Sequence, residues 1–148
     1  MSDNPKSFEH VFVAEEFAAR EALCTIMNRL VAMGLAEDQM GGAEIVLAEA
    51  VNNIVEHAYA GMEPGEIRLN ARFEGPHLLL QIEDWGRALP DGELPEGQPA
   101  DLTGPMDDLP EGGFGWFMIR TLSRDISYAR TEGCNRLCLT FDLIPPGS

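Results

Sequence analysis

The sequence predicts an α+β fold in which one mixed or antiparallel sheet is covered by helices on one face. Two observations support this. Strand-like and helix-like patterns follow each other in the order β-α-α-β-β-loop-α-β-β, and a long segment rich in Pro and Gly interrupts the second half. A chain of 148 residues is expected to form one domain, spanning 1–148, with a hydrophobic core of its own.

The first half of the chain is predicted to form one strand and two helices. Residues 7–13 alternate polar and apolar side chains, as a half-buried strand does. Residues 15–33 carry apolar side chains at helical spacing. A second helix is expected at 43–60, and Gly41 and Gly42 are expected to interrupt the chain before it.

The second half is predicted to hold two pairs of strands separated by a loop and a short helix. Residues 86–113 are dense in Pro and Gly, and a loop of that length inside a compact domain is usually functional or disordered. An apolar helix is expected directly after this loop, at 114–123. The strands are expected at 66–73, 77–83, 125–130 and 136–143.

The composition argues against several classes of function. A net charge of −15 opposes direct binding to nucleic acid or to an anionic membrane, because both attract proteins through Lys and Arg. No apolar run approaches the ~20 residues that cross a bilayer, and no secretory signal pattern is visible. The three cysteines form no CxxC pair and are expected to be free thiols in a reducing cytoplasm.

Common nucleotide and hydrolase motifs are missing from the sequence. The only lysine is Lys6, and no GxxxxGK[ST] occurs, which excludes a P-loop. No GxGxxG follows a strand in a βαβ unit, and no GxSxG serine-nucleophile motif is present. Any chemistry must therefore come from other stretches.

The helical segment LAEAVNNIVEHAY at 47–59 carries more polar groups than a core helix needs. Glu49 and Asn53 lie one turn apart, with about 5–6 Å between their Cβ atoms. A carboxylate can accept a proton from an attacking hydroxyl, and a carboxamide oxygen can ligate Mg²⁺. This helix alone leaves a solvated surface as the alternative. The polar arc comprises Glu49, Asn52, Asn53, Glu56 and His57.

A second stretch, IEDWG at 82–86, ends an apolar strand with an aspartate. The carboxylate of Asp84 can accept a hydrogen bond from an exocyclic amino group such as that of adenine. Gly86 lets a ring approach the backbone because it carries no Cβ. An ordinary D-x-G turn after a strand is the alternative.

A third stretch, EGGFGWFMIR at 111–120, leads from a glycine cluster into an apolar helix. Such a junction presents free N–H groups and the positive end of a helix dipole to an anion, and phosphate is the usual ligand. A flexible hinge at the end of the long loop is the alternative.

In this order, the three stretches resemble the N, G1 and G2 boxes of the ATPase superfamily that includes gyrase B, the heat-shock chaperone ATPases, histidine kinases and MutL. Within it, the chain is most similar to the bacterial anti-sigma factor serine/threonine kinases of the RsbW type. The resemblance implies a two-layer α/β sandwich of the Bergerat type. The matching stretches are EAVNNIVEHAY at 49–59, EDWG at 83–86, EGGFGWFMIR at 111–120 and EGCNRLCLTF at 132–141.

The resemblance also implies roles for individual residues. ATP is expected between the helix layer and a flexible lid at about 87–113. Glu49 matches the general base, and Asn53 matches the Mg²⁺ ligand. Asp84 matches the adenine-binding aspartate, and Gly86 matches the glycine beside the base. The nucleotide-binding residues at the end of the lid are expected to be Gly112, Gly113, Phe114 and Gly115.

The function implied by the resemblance is that of an ATP- and Mg²⁺-dependent serine/threonine kinase that is also an anti-sigma factor. It sequesters a sigma factor and phosphorylates a Ser or Thr of an anti-anti-sigma (STAS-domain) protein, as a cytoplasmic homodimer with no direct nucleic-acid or membrane contact. One alternative is a nucleotide-gated binding switch without relevant kinase activity. Another is a histidine kinase catalytic domain, which the absence of a preceding phospho-acceptor helix disfavours.

The chain departs from the pattern of this family at two positions. Ala88 stands where a glycine is frequent, and Asn135 stands where a threonine near the base is frequent. Neither change removes a group that proton transfer or metal binding needs. The departures therefore bear on nucleotide affinity more than on chemistry.

Overall fold

The computed structural model describes residues 7–89 and 113–143. Apart from its first and last residues, the predicted lid at 87–113 lies outside these ranges, as does Gly112. The described elements are β1 (Ser7–Val13), α1 (Glu16–Ala32), α2 (Glu37–Asn53), a π-helical segment (Ile54–Ala58), β2 (Glu66–Glu74), β3 (His77–Asp84), α3 (Gly113–Leu122), β4 (Asp125–Thr131) and β5 (Cys134–Asp142).

The strands form one sheet in the order β1-β2-β3-β5-β4. Every neighbouring pair is antiparallel, so the sheet is antiparallel rather than mixed. Two tight hairpins set the register of β2 with β3 and of β4 with β5. Gly75 and Gly133 occupy their turns with φ of 58° and 81°, values that glycine adopts at no steric cost.

The core lies between one face of this sheet and the helices. Alternate residues of the inner strands are buried because successive side chains of a strand point to opposite faces. The helices contribute apolar side chains to the same cluster. This confirms the predicted α+β fold with helices on one face of the sheet. The buried apolar residues of the inner strands β2, β3 and β5 are Ile67, Leu69, Ala71, Leu78, Leu80, Ile82, Leu137, Leu139 and Phe141.

The opposite face of the inner strands is polar. Glu83 accepts hydrogen bonds from Nε and Nη2 of Arg136 at 3.0 and 2.9 Å. Arg68 lies 4.0 Å from the other Glu83 oxygen and stacks over the ring of Trp85. A buried carboxylate needs such partners, so this ion cluster explains why Glu83 is buried although it faces away from the helices.

Helix α2 begins earlier than the glycines in it suggest. The prediction that Gly41 and Gly42 interrupt the chain before a helix at 43–60 is wrong, because α2 runs from Glu37 through both glycines. Glu37 and Asp38 lie in the first turn, where negative charge favours a helix start. Burial of the apolar face of α2 offsets the cost of the two glycines.

The end of this helix also differs from the prediction. The α-helix stops at Asn53, and Ile54–Ala58 continue as a π-helical segment. The N–H of Tyr59 donates to the carbonyl of Ile54, five residues back, at 3.3 Å. The α-helical rotation of 100° per residue therefore no longer applies beyond Asn53. Ala58, in the π-helical segment, lines the same cavity as Asn53.

Two expectations drawn from the composition concern the cysteines and membrane-spanning helices. Cys24, Cys134 and Cys138 are free thiols, as predicted. Within residues 7–89 and 113–143, no helix has the length and apolar character needed to cross a bilayer.

Replacing Gly41 or Gly42 by Ala is expected to stabilise the protein by about 0.5–1 kcal/mol each, because glycine inside a helix loses more backbone entropy on folding than alanine does. A Cβ at either position would meet no atom within 4 Å. Urea denaturation measures the change. Gly75→Ala is the matched control: space is open there too, but φ is positive, so stability should fall. Destabilisation by Gly41→Ala and Gly42→Ala would contradict the described course of α2.

Candidate functional site

A cavity of about 500 Å³ opens between the end of α2, the ends of β3 and β5, and helix α3. This volume is in the range of small-molecule sites. Asn53 and His57 line it from the helix side, and Asp84 and Asn135 line it from the sheet. The remaining lining residues are Ala50, Ile54, Ala58, Arg87, Ala88, Leu89, Trp116, Tyr128 and Leu137.

The register of the sheet brings the polar residues of this cavity together. Asp84 on β3 pairs with Asn135 on β5, and Asn135 pairs with Arg130 on β4. The next row pairs Leu137 with Tyr128. All these residues belong to the face that carries the core, so the last row of that face becomes the polar wall of the cavity.

Asp84 is buried at this wall, with 4% of its surface exposed. Its Oδ1 accepts hydrogen bonds from the backbone N–H of Gly86 at 2.9 Å and from Nδ2 of Asn135 at 2.8 Å. Burial raises the pKa of Asp84, while these two hydrogen bonds and the charge of Arg130 lower it. An oxygen of this carboxylate can accept a hydrogen bond from a ligand that carries a donor.

Asn53 supplies the polar group on the helix side. Its Nδ2 is buried and has no hydrogen-bond partner among the described residues. A buried amide without a partner is unusual in a folded protein and indicates a group that a ligand completes. No cluster of three or more His, Cys, Asp or Glu is found in the described ranges. One carboxamide oxygen still fits Mg²⁺, which keeps several waters and takes its other ligands from phosphates.

Gly86 lies against the π-helical segment. A Cβ at Gly86 would come within 2.6 Å of the carbonyl carbon of Ala58, so no other residue fits without backbone movement. The N–H of Arg87 donates to the carbonyl oxygen of Ala58 at 2.7 Å. This contact joins the end of the helix to the end of β3 and closes the cavity on that side.

The remaining predicted site residues are Glu49 and the glycine cluster at the start of α3. Glu49 is half-buried one turn before Asn53 and is not among the described residues that line the cavity. The glycine cluster does lead into a helix, as predicted: Gly113, Phe114 and Gly115 form the first turn of α3. Of the predicted residues, the structure therefore brings Asn53 and Asp84 together in one cavity, and it places Gly86 at its edge.

Several residues of this cavity were missed or left open by the sequence. Tyr128, which lines the cavity, was not singled out, and neither was Arg130, which donates to Asn135 at the cavity wall. The alternation of β4 places both on the core face. Trp116 is 6% exposed and also lines the cavity. His57 lines the cavity too, with a largely exposed side chain.

Comparison with known proteins identifies the family to which this chain belongs. Residues 12–141 match the histidine kinase-like ATPase domain. The serine-protein kinase RsbW of Oceanobacillus iheyensis is 32% identical over 116 residues, which cover 78% of this chain and 72% of that protein. RsbW of Bacillus mycoides is 34% identical over 115 residues, covering 77% and 69%.

A solved structure agrees on the fold. The chain superposes on a crystal structure of the RsbU and RsbW domains of a Mycobacterium tuberculosis protein with a TM-score of 0.65 and 19% identity. The match covers 93% of this chain and 32% of the other, so it shows the fold alone. Together, the domain match and the RsbW relatives show that this chain belongs to the histidine kinase-like ATPase family, in its RsbW-type serine-protein kinase branch.

Proposed function

We propose that the chain is an ATP-dependent protein serine/threonine kinase and anti-sigma factor, which sequesters a sigma factor and phosphorylates a Ser or Thr of an anti-anti-sigma (STAS-domain) protein. The observation that carries the proposal is a single cavity lined by a buried carboxylate, Asp84, and by Asn53, whose Nδ2 is buried without a hydrogen-bond partner among the described residues. Membership in a branch whose relatives are named serine-protein kinases supports it.

The sheet side of the cavity binds the base. Asp84 accepts a hydrogen bond from the exocyclic amino group of adenine, while apolar neighbours such as Leu137 and Ala50 contact the ring. The closeness of Gly86 to Ala58 keeps this end of the cavity narrow. A base that presents a carbonyl instead of an amino group places two acceptors against each other, which disfavours it.

The helix side and α3 bind the phosphates. The Asn53 carboxamide holds Mg²⁺, and the start of α3 at Gly113 directs backbone N–H groups and the positive end of its dipole towards negative charge. When bound, Mg²⁺ spreads the charge of the phosphate oxygens. The net charge of −15 opposes a triphosphate, so these local groups must supply the attraction.

Glu49 accepts the proton in the transfer step. The partner hydroxyl loses its proton to the Glu49 carboxylate, its oxygen bonds to the γ-phosphorus, and the bond to the bridging oxygen breaks to release ADP. Glu49 lies one turn from Asn53, which is close enough to serve the same γ-phosphate. Most of the acceleration comes from positioning and electrostatics.

A second candidate function is a nucleotide-gated binding switch without relevant catalysis. It is favoured by one observation: Glu49 is not among the described residues that line the cavity. In that case ATP sets the affinity for a partner, and no phosphate is transferred. Incubation with radiolabelled ATP and a candidate anti-anti-sigma protein separates the two functions. The homodimer expected from the family stays a prediction.

Glu49→Gln is expected to keep ATP affinity within about threefold but to lower the rate of phosphoryl transfer by about 100-fold or more, because an amide cannot accept the proton. The measurements are ATP binding by calorimetry and transfer of radiolabel to the partner. Glu56→Gln is the matched control, since Glu56 is exposed on the π-helical segment that continues α2. Transfer at the wild-type rate by Glu49→Gln would rule out this role for the carboxylate.

Asn53→Ala is expected to weaken the binding of Mg·ATP by about tenfold or more, because the proposed side-chain ligand for the metal is lost. The dependence of ATP affinity on Mg²⁺ concentration should shrink with it. Asn52→Ala makes the same chemical change at the exposed neighbouring position and should leave both quantities unchanged. Equal Mg²⁺ dependence in Asn53→Ala and wild type would contradict the assignment.

Asp84→Asn is expected to stabilise the chain without nucleotide at neutral pH and to weaken ATP binding by about tenfold or more. Burial raises the pKa of Asp84 in the folded chain, so its ionisation opposes folding above that pKa and has no effect at a pH below the unfolded value of 3.8. The gain in thermal stability should therefore vanish in acid. Thermal unfolding against pH measures it, with exposed Asp125→Asn as control. Lower stability of Asp84→Asn at neutral pH would contradict this account.

A further inference from the structure

Only three polar or charged residues are buried in the described part of the chain: Glu83, Asp84 and Asn135. Two arginines neutralise Glu83 on the face away from the helices. Asp84 and Asn135 share the cavity wall, and the proposed function gives a role to Asp84 alone. The contacts of Asn135 show what the second residue does there.

The carboxamide of Asn135 uses its full hydrogen-bonding capacity. Its Nδ2 donates to Oδ1 of Asp84 at 2.8 Å and to the carbonyl oxygen of Arg87 at 2.9 Å, with a longer contact of 3.3 Å to the carbonyl of Gly86. Its Oδ1 accepts from the hydroxyl of Tyr128 at 2.6 Å and from Nη1 of Arg130 at 2.8 Å. An amide has two donors and two lone pairs, so it is saturated.

These partners also fix the orientation of the amide. A rotation by 180° would place its oxygen against the Asp84 carboxylate and the Arg87 carbonyl, which are acceptors. It would place its NH₂ group against the Arg130 guanidinium, which is a donor. Both arrangements are repulsive, so Asn135 has one stable orientation.

The orientation of Asn135 in turn determines which oxygen of Asp84 a ligand can reach. Oδ1 accepts from Gly86 and Asn135, which occupy both of its lone pairs. Oδ2 accepts no hydrogen bond from the described residues. Because Asp84 lines the cavity, Oδ2 is the oxygen that remains for a donor on the base.

The same amide also holds the segment Gly86–Leu89, which follows β3. Asn135 binds the carbonyl of Arg87, and Arg130 binds the carbonyl of Gly86 at 2.9 Å. The hydroxyl of Tyr128, which donates to Asn135, accepts from the N–H of Leu89 at 3.1 Å. One buried side chain therefore connects the carboxylate of the site with the backbone that leaves it.

We propose that Asn135 is a positioning residue that presents Oδ2 of Asp84 to the nucleotide base and fastens Gly86–Leu89, so that base discrimination and the order of this segment depend on one amide. The inference rests on the proposed nucleotide binding. A positioning role of Asn135 differs from a purely structural role in one respect. Loss of Asn135 should change the preference between bases, and not only the affinity for nucleotides in general.

The first test measures the affinities of wild type and Asn135→Ala for ATP and for inosine triphosphate, which has a carbonyl in place of the amino group. The ratio of the two affinities is expected to fall by about fivefold or more in Asn135→Ala. Asn70→Ala, the same change on the opposite face of the sheet, should keep the ratio. An unchanged ratio in Asn135→Ala would overturn the inference.

The second test uses Tyr128→Phe and backbone hydrogen exchange observed by NMR. This variant keeps the ring at the cavity and removes the hydroxyl between Asn135 and Leu89. The Leu89 amide should exchange at least about tenfold faster, while the affinity ratio falls less than in Asn135→Ala. Unchanged exchange at Leu89 would overturn the inference, and this result is available even if Asn135→Ala does not fold.

The two tests separate the inference from the proposed function. A wild-type chain without affinity for ATP would overturn the proposed function and the inference with it. A wild-type chain that prefers ATP over inosine triphosphate, together with an Asn135→Ala variant of equal preference, would overturn the inference alone. Faster exchange at Leu89 combined with a reduced ratio in Asn135→Ala supports both.

Discussion

The burial of one carboxylate constrains this whole region of the molecule. A buried charge is tolerated only when hydrogen bonds replace its lost water, and Asp84 obtains two of them at one oxygen. The tight turn at Gly86 supplies the first and Asn135 supplies the second. Because both donors point at the same oxygen, the other is left for a ligand. In the proposed function, the cost of burying Asp84 is thus linked to the recognition of a base.

Two adjacent residues of β3 show how the alternation of a strand directs neighbouring carboxylates to opposite faces of the sheet. Glu83 and Asp84 are both buried, but they point to opposite faces. Glu83 is enclosed by arginines and has a structural role, whereas Asp84 faces the cavity. The π-helical segment acts in a similar way on the other wall: it ends the regular helix directly after Asn53 and brings Ala58 onto Gly86. Such segments are frequent at functional sites.

Most of the fold follows from local patterns in the sequence. The strand-like stretches at 66–73 and 77–83 predict the central hairpin, and the helical spacing of 15–33 predicts α1 within one residue at each end. The start of α2 could not be predicted, since Gly41 and Gly42 are poor helix formers and only burial of their neighbours against the core makes the helix stable there.

The sequence by itself determined which stretches match one family in their order and residue types, and Asn53, Asp84 and Gly86 stand in these stretches. Tertiary structure decided how they meet. Pairing of β3 with β5 places Asn135 beside Asp84, and pairing of β4 with β5 adds Tyr128 and Arg130. Local alternation indicates the face of these two residues but not their partners. The reason is physical. Local periodicity specifies the face on which a side chain lies, whereas its partners depend on contacts between strands that are distant in the chain.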